Sequence, residues 1–235
     1  MALIQSPQGQ LTQARSVVLV IPAYNEERFI GSVVLKARQY VDEVIVIDDG
    51  STDCTGQIAR AAGAIVVQHP QNYGKGVALN TGFAKVREFS PDVVITIDGD
   101  WQHLPEEISL VAQPVLEGEA DLVVGSRYLE QTSTVPLKRI VGHWGFNVLT
   151  NVSSGTPLTD SQSGFRAFSP AALSQMTFSS SGFSVECEMQ FLARDLRLRV
   201  LEVPITIRYH DKPKRSVLKH GLIVLDGLID RKSVV

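Results

Sequence analysis

Only two cysteines, Cys54 and Cys187, occur in the 235 residues, far apart and outside any CxxC spacing. A disulfide framework and a structural zinc site are both excluded, and a reducing compartment is expected. No stretch approaches the roughly 20 consecutive apolar residues that span a bilayer. The longest apolar runs, such as Val17 to Ile21, have strand length. Positive charge is not in surplus either: 22 Lys and Arg against 25 Asp and Glu give a formal net charge of −3. Binding a nucleic-acid backbone calls for a clear basic excess, so no nucleic-acid partner is expected. Met1 to Ser16 lacks the basic start and apolar centre of a signal peptide and reads as a flexible, polar N-terminal extension.

What is present is ordinary globular composition, 44% hydrophobic and 20% charged, at a length suiting one large domain with appendages. Val17 to Ile21, Val44 to Ile47, Ile65 to Val67, Val93 to Ile97 and Leu122 to Val124 are short β-branched runs without alternation. Strands buried on both faces of a parallel sheet read this way. Helical stretches lie between them: Glu27 to Tyr40, Thr55 to Ala62, Gly76 to Phe89, and Pro105 to Leu116. The alternation predicts an α/β fold with right-handed crossovers.

Beyond Arg127 the rhythm changes. Leu137 to Val152 reads as a helix, Gly164 to Phe168 as extended, Ser169 and Pro170 as a helix start, Ser184 to Leu196 as a helix, and Val200 to Tyr209 as strand broken at Pro204. Val217 to Ile229 carries Leu218, Leu222, Leu225, Leu228 and Ile229 at largely helical spacing behind the basic residues Lys212, Lys214 and Arg215. That amphipathic helix suits docking on the core and a membrane surface equally. The expected organisation is thus an extension over 1–16, a catalytic domain over 17–210, and a basic loop with the amphipathic helix over 211–235.

In an open parallel sheet ligands bind outside the carboxyl ends of the strands. Here those ends run into "PAYNE", "DDGSTD" and "DGDWQH". Asp53, just before Thr55, reads as a helix N-cap. Asp98 and Asp100 flank a single glycine, and two carboxylates that close repel unless a cation intervenes. A hard divalent ion takes one or two carboxylates and completes its shell with phosphate oxygens and water. Asp100, Asp98 and Gln102 are therefore chemically sufficient to hold Mg²⁺ on a nucleotide diphosphate. Gly74, Lys75 and Gly76 form a basic turn at a helix start, a candidate anion site. The spacing is not GxxxxGK[ST], and no GxGxxG follows the first strand, which removes the Walker and nicotinamide readings.

The ordered set "VIPAYNEE", "VIDDGSTD", "NYGKGVALNTGF", "DGDWQHLPEE", "VVGSRY" and "TDSQSGFRAF" resembles family 2 glycosyltransferases, nearest to the branch of dolichyl-phosphate mannose synthases and polyprenyl-phosphate sugar transferases. The likeness covers about Val17 to Tyr209. It departs from the commonest pattern at Gly99 and Trp101. The resemblance implies a GT-A fold with a Rossmann-like, mainly parallel sheet, an acceptor-side α/β extension, and Mg²⁺ or Mn²⁺ as cofactor. Pro22, Ala23, Tyr24 and Glu26 would line the nucleoside pocket, with Asp49 on base or ribose. Asp98 and Gly99 would face the ribose or sugar, and Asp100 and Gln102 the metal bridging the diphosphate. Arg127 and Arg208 would contact donor sugar or phosphates, Arg166 a lipid phosphate, and Asp160 would be base or orienting group. Glu186 and Glu188 would anchor sheet or acceptor elements, and His103 and His143 are read as packing residues.

The resemblance thus implies an inverting transfer of a hexose from GDP-mannose, UDP-glucose or UDP-N-acetylglucosamine to a polyprenyl or dolichyl phosphate. A saccharide acceptor and a non-catalytic nucleotide-binding relative are the alternatives. A nucleotidyltransferase would need a Gly-rich basic loop where this chain has "PAYNEE". The expected location is cytoplasmic, peripheral on the cytoplasmic face of a membrane, through the C-terminal helix or a membrane partner protein.

Overall fold

The computed structural model describes residues 3–5, 11–13, 15–129, 147–148, 150–179 and 185–208. Two short strands open the chain, β1 (Leu3–Gln5) and β2 (Leu11–Gln13), paired antiparallel within the N-terminal extension. The main body is a seven-stranded sheet of β3 (Val17–Ala23), β4 (Glu43–Asp48), β5 (Ile65–Gln68), β6 (Val93–Thr96), β7 (Leu122–Ser126), β8 (Arg166–Phe168) and β9 (Val200–Pro204). Their spatial order is β5-β4-β3-β6-β8-β7-β9. All run the same way except β8, which pairs antiparallel with both β6 and β7.

The strands lack alternation because both faces are covered. In β3, Leu19 and Ile21 pack into one core with Ile30, Val33 and Val34 of α1 (Ile30–Ala37), Ala59 of α2 (Thr55–Ala61), and Ile108 and Val111 of α4 (Ile108–Leu116). Val18 and Val20 point the other way, into a second core with Leu79 and Phe83 of α3 (Lys75–Val86), Leu173 of α5 (Pro170–Gln175) and Met189 of α6 (Val185–Asp195). Each fully buried Val, Leu, Ile, Phe or Met side chain among them contributes about 1.5–3 kcal/mol of hydrophobic stabilisation. The second core also holds Phe83 edge-on to Phe168 and to Phe178, with ring centroids 5.2 and 5.6 Å away.

The five apolar runs form strands that all point the same way, and β8 makes the sheet mainly rather than wholly parallel, as expected. The chain leaves β7 at the carboxyl rim of the sheet and β8 starts from that same rim, so β8 runs backwards. It slots between β6 and β7, with Arg166 opposite Thr96 on one side and Val124 on the other. This places the loop before β8 beside the loop after β6.

Local chemistry explains the ends of the elements. Ser169 caps α5 as expected, its Oγ accepting from the Ala172 amide at 3.1 Å, with Pro170 in the first turn. Asp53 is not the N-cap of α2: Cys54 holds that position, while Asp53 accepts from the Thr55 amide at 2.9 Å and the Glu27 amide at 3.2 Å. Pro105 to Glu107 form a 3₁₀ turn ahead of α4, and Glu107 accepts from the Thr206 amide beyond β9. Of the helix expected over Leu137 to Val152, residues 147–148 and 150–152 are described and helical, with helix continuing to 154. His143, Lys212, Lys214, Arg215 and the Val217 to Ile229 helix lie outside the described residues. No helix among the described residues is long and apolar enough to cross a membrane.

Candidate active site

The loops after β3 and β4 are zipped together. The Asn25 amide donates to Ser51 Oγ at 3.0 Å, the Glu26 amide to Thr55 Oγ1 at 2.8 Å, and the Thr52 amide to Asn25 Oδ1 at 2.9 Å. Asn25 takes a left-handed φ of 54°, a conformation Asn tolerates better than most residues. The result is a fixed ledge carrying Pro22, buried Ala23 and exposed Tyr24. Asp49 is buried in its wall. It accepts from His69 Nδ1 at 2.7 Å, the Tyr73 amide at 3.0 Å and the Gly74 amide at 2.8 Å.

At the end of β6 the acidic pair meets a buried cation. Lys75, the first residue of α3, lies 2.6 Å from Asp98 Oδ1 and 2.6 Å from Glu186 Oε1 on α6. Burial alone would raise the Asp98 carboxyl, but Lys75, with His103 Nε2 3.6 Å away, outweighs it and holds the group well below the carboxylate range. Burial likewise opposes the Lys75 ammonium, and the two carboxylates override it and push its pKa up. The anion-site reading of Lys75 is corrected: its charge is already spent on Asp98 and Glu186. Gly164 is what lets the loop before β8 close on this pair, because a Cβ there would lie 2.7 Å from Asp98 Oδ2 and 3.0 Å from Lys75 Nζ.

Asp100 stands apart. Burial first, then the Asp98 charge, pushes its carboxyl up, against the pull of His103, the Gln102 amide and Lys75. Its oxygens accept from the Gln102 amide at 3.1 Å and Gln102 Nε2 at 2.5 Å. Trp101 between the two acids has a positive φ of 61°, a strained turn of the kind found at functional sites. Among the described residues no cluster of three or more acid, His or Cys groups could hold a metal alone. The arrangement suits an ion held by one or two carboxylates and completed by diphosphate oxygens.

The acceptor-side residues gather next to this centre but face one another. Arg127 binds Asp160 through two parallel bonds of 2.5 Å, and its backbone amide donates to Asp160 Oδ2 at 3.1 Å. Asp160 is fully buried. The expectations that Asp160 acts as base and Arg127 touches the donor are corrected to this extent: each would first have to give up the other. Arg166, also fully buried, donates to the carbonyls of Ser163 and Ser161 at 2.9 Å each. Its Nη1 and Glu186 Oε2 have no hydrogen-bond partner among the described residues. Both line a cavity of about 10 Å³ with Lys75 and Asp98, room for about one water. Arg166 therefore reaches the site from behind rather than standing open to a lipid phosphate. Arg208 is exposed, its amide donating to the Gln102 carbonyl at 3.0 Å. His103 packs edge-on to Phe165 at 5.4 Å.

Sequence reasoning missed His69 and the Lys75 bridge. The glycine-flanked lysine at a helix start was the visible signal for Lys75, but two acids remote in sequence decide what it binds.

A sheet of this order, with an acidic pair at the end of its middle strand and a reversed strand whose preceding loop closes on that pair at Gly164, defines a GT-A glycosyltransferase. The sequence profile described as glycosyl transferase family 2 matches residues 18–177, and the chain belongs to that family. It is 34% identical over 215 residues to the UDP-N-acetylglucosamine–dolichyl-phosphate N-acetylglucosaminyltransferase of Methanococcus voltae, covering 82% of this chain and 86% of that protein. It is 33% identical over 202 residues to the undecaprenyl-phosphate mannosyltransferase of Micrococcus luteus, covering 81% and 82%. Among solved structures, glucosyl-3-phosphoglycerate synthase of Mycobacterium tuberculosis, in complex with Mn²⁺, UDP and glucosyl-3-phosphoglycerate, superposes with a TM-score of 0.73. That match is 28% identical and covers 93% of this chain and 80% of the other.

Proposed function

We propose that the chain transfers a hexose, with inversion, from a nucleotide-sugar to a polyprenyl phosphate, using Mg²⁺ or Mn²⁺ held by Asp100, Gln102 and Asp98. The observation that carries the acceptor class is the locked Arg127–Asp160 pair. A hydroxyl acceptor needs a base, whereas a phosphate oxygen arrives already ionised. A site whose nearest candidate base is tied into a buried ion pair suits the second. The relatives acting on dolichyl and undecaprenyl phosphates support the same class.

In this reading Pro22, Ala23, Tyr24, Glu26 and Asp49 hold the nucleoside. Asp98 and Gly99 face the sugar, with Asp98 kept ionised and in place by Lys75. A bound divalent ion would supply electrophilic stabilisation of the departing diphosphate. Arg208, exposed beside Gln102, adds positive charge there, and Arg127 and Arg166 shape the acceptor side as positioning groups. The chain would work as a peripheral protein on the cytoplasmic face of a membrane.

A second reading, a soluble phosphate-bearing acceptor, is favoured by the resemblance to the glucosyl-3-phosphoglycerate synthase structures. Radiolabelled UDP- and GDP-sugars incubated with undecaprenyl phosphate or 3-phosphoglycerate separate the two. Label extracted into organic solvent, dependent on divalent metal and lost in Asp100→Ala, is the expected result. Label only in the aqueous product decides for the soluble acceptor, and no transfer to either defeats both.

A further inference from the structure

Asp49 and His69 form a chain of contacts that the transfer chemistry does not require. Their arrangement bears on which base the pocket accepts. His69 is held at both ring nitrogens: Nδ1 is 2.7 Å from Asp49 Oδ1, and Nε2 is 3.0 Å from Thr81 Oγ1 on α3. A carboxylate only accepts, so Nδ1 carries the proton toward Asp49. The ring also packs edge-on against Tyr73, with centroids 5.4 Å apart. The loop that bears it is pressed onto β4: a Cβ on Gly50, whose φ is +71°, would sit 2.2 Å from the Gln71 carbonyl carbon. The backbone around His69 is therefore held close to β4, and the ring itself is held by Asp49 and Thr81.

An ionised carboxylate offers four lone-pair positions, two on each oxygen. Among the described residues Asp49 Oδ1 accepts twice, from His69 Nδ1 and the Tyr73 amide, and Oδ2 accepts once, from the Gly74 amide. One position is left, on Oδ2. A base that meets this carboxylate can give it one N–H. The uracil edge presents a single N–H. Guanine presents two side by side, the ring N–H and the exocyclic amine, and a carboxylate satisfies both only with a free position on each oxygen.

We infer that His69 is a specificity-determining positioning residue: by filling Asp49 Oδ1 it sets the pocket to take a uridine diphosphate sugar and to reject a guanosine one. The inference rests on the reading above in which Asp49 meets the base. A guanine N–H left unpaired against the filled oxygen weakens binding about tenfold or more. His69 acts through Asp49, so its loss changes which nucleotide binds.

The test is calorimetric titration of the full chain with UDP and with GDP, each with Mn²⁺, on wild type, His69→Ala, His69→Gln and Asp49→Asn. Wild type is expected to favour UDP by at least about tenfold. His69→Ala frees Oδ1, so GDP gains and the UDP-to-GDP ratio falls to within about threefold, while His69→Gln, which keeps a donor toward Asp49, restores the wild-type ratio. A wild-type preference for GDP overturns the inference even if the alanine variant does not fold. An unchanged ratio in His69→Ala, with UDP weakened by Asp49→Asn, overturns the His69 role alone. UDP binding untouched by Asp49→Asn overturns the base-contact reading and the inference with it.

Discussion

At the scale of single residues the site is a set of charges already matched to one another. The Arg127–Asp160 pair is buried on both sides, with side-chain exposures of 9% and 0%, so removing the cation strands an enclosed carboxylate. Arg127→Ala is expected to cost about 3–5 kcal/mol, read as a drop in the urea midpoint with the slope unchanged. Asp100 is the exception to the matching. Its carboxyl is pushed up by burial and by Asp98, and the proposed divalent ion would relieve that repulsion. In Asp100→Ala the thermal stabilisation by UDP with Mn²⁺ should vanish, while the melting temperature without ligand stays close to wild type or rises. A shift that survives in the variant would place the metal elsewhere.

At the scale of elements, Lys75 joins α3 to β6 through Asp98 and to α6 through Glu186. The Asp98 carboxyl is held below its ordinary value in the fold, so its contribution is present above about pH 4 and is lost as pH falls through the depressed value. Lys75 is shifted upward, so its share is lost only as pH rises beyond about 10.4. Acidification from about pH 6 to 3 should therefore lower the wild-type urea midpoint. Lys75→Met, which leaves Asp98 buried without its cation, should show a smaller fall over the same range. The parallel strands and their flanking helices were legible in the chain because continuous β-branched runs such as Val17 to Ile21 have few other solutions in a soluble fold. The acidic ends of β3, β4 and β6 were legible for the same reason. What could not be read was partnership across distance. Lys75 with Glu186, Arg127 with Asp160 and His69 with Asp49 are joined by tertiary folding, so each charge read singly looked available for a ligand. The direction of β8 escaped as well, since three residues carry too short a pattern to reveal it.

At the scale of the whole molecule, ligand binding should be visible as stability. UDP with Mn²⁺ at about a hundredfold over its Kd adds about 2.7 kcal/mol, or about 5–10 °C in a chain of this size. Chelating the metal with EDTA should remove the gain, and a gain that persists would argue against a metal-bridged diphosphate. The reversed strand has a wider consequence. Because β7 and β8 are adjacent, with Val124 opposite Arg166, the stretch between them departs from and rejoins the sheet at a single neck. Such a stretch can be exchanged as a cassette without rethreading β3 to β6, the part of the sheet proposed above to hold the nucleotide. Grafting residues 127–165 from a relative with a different acceptor should carry the acceptor preference across and leave UDP affinity within a few fold. In that sense the backward strand β8 acts as a hinge point at which one stretch of chain can be replaced while the parallel strands keep their pairing.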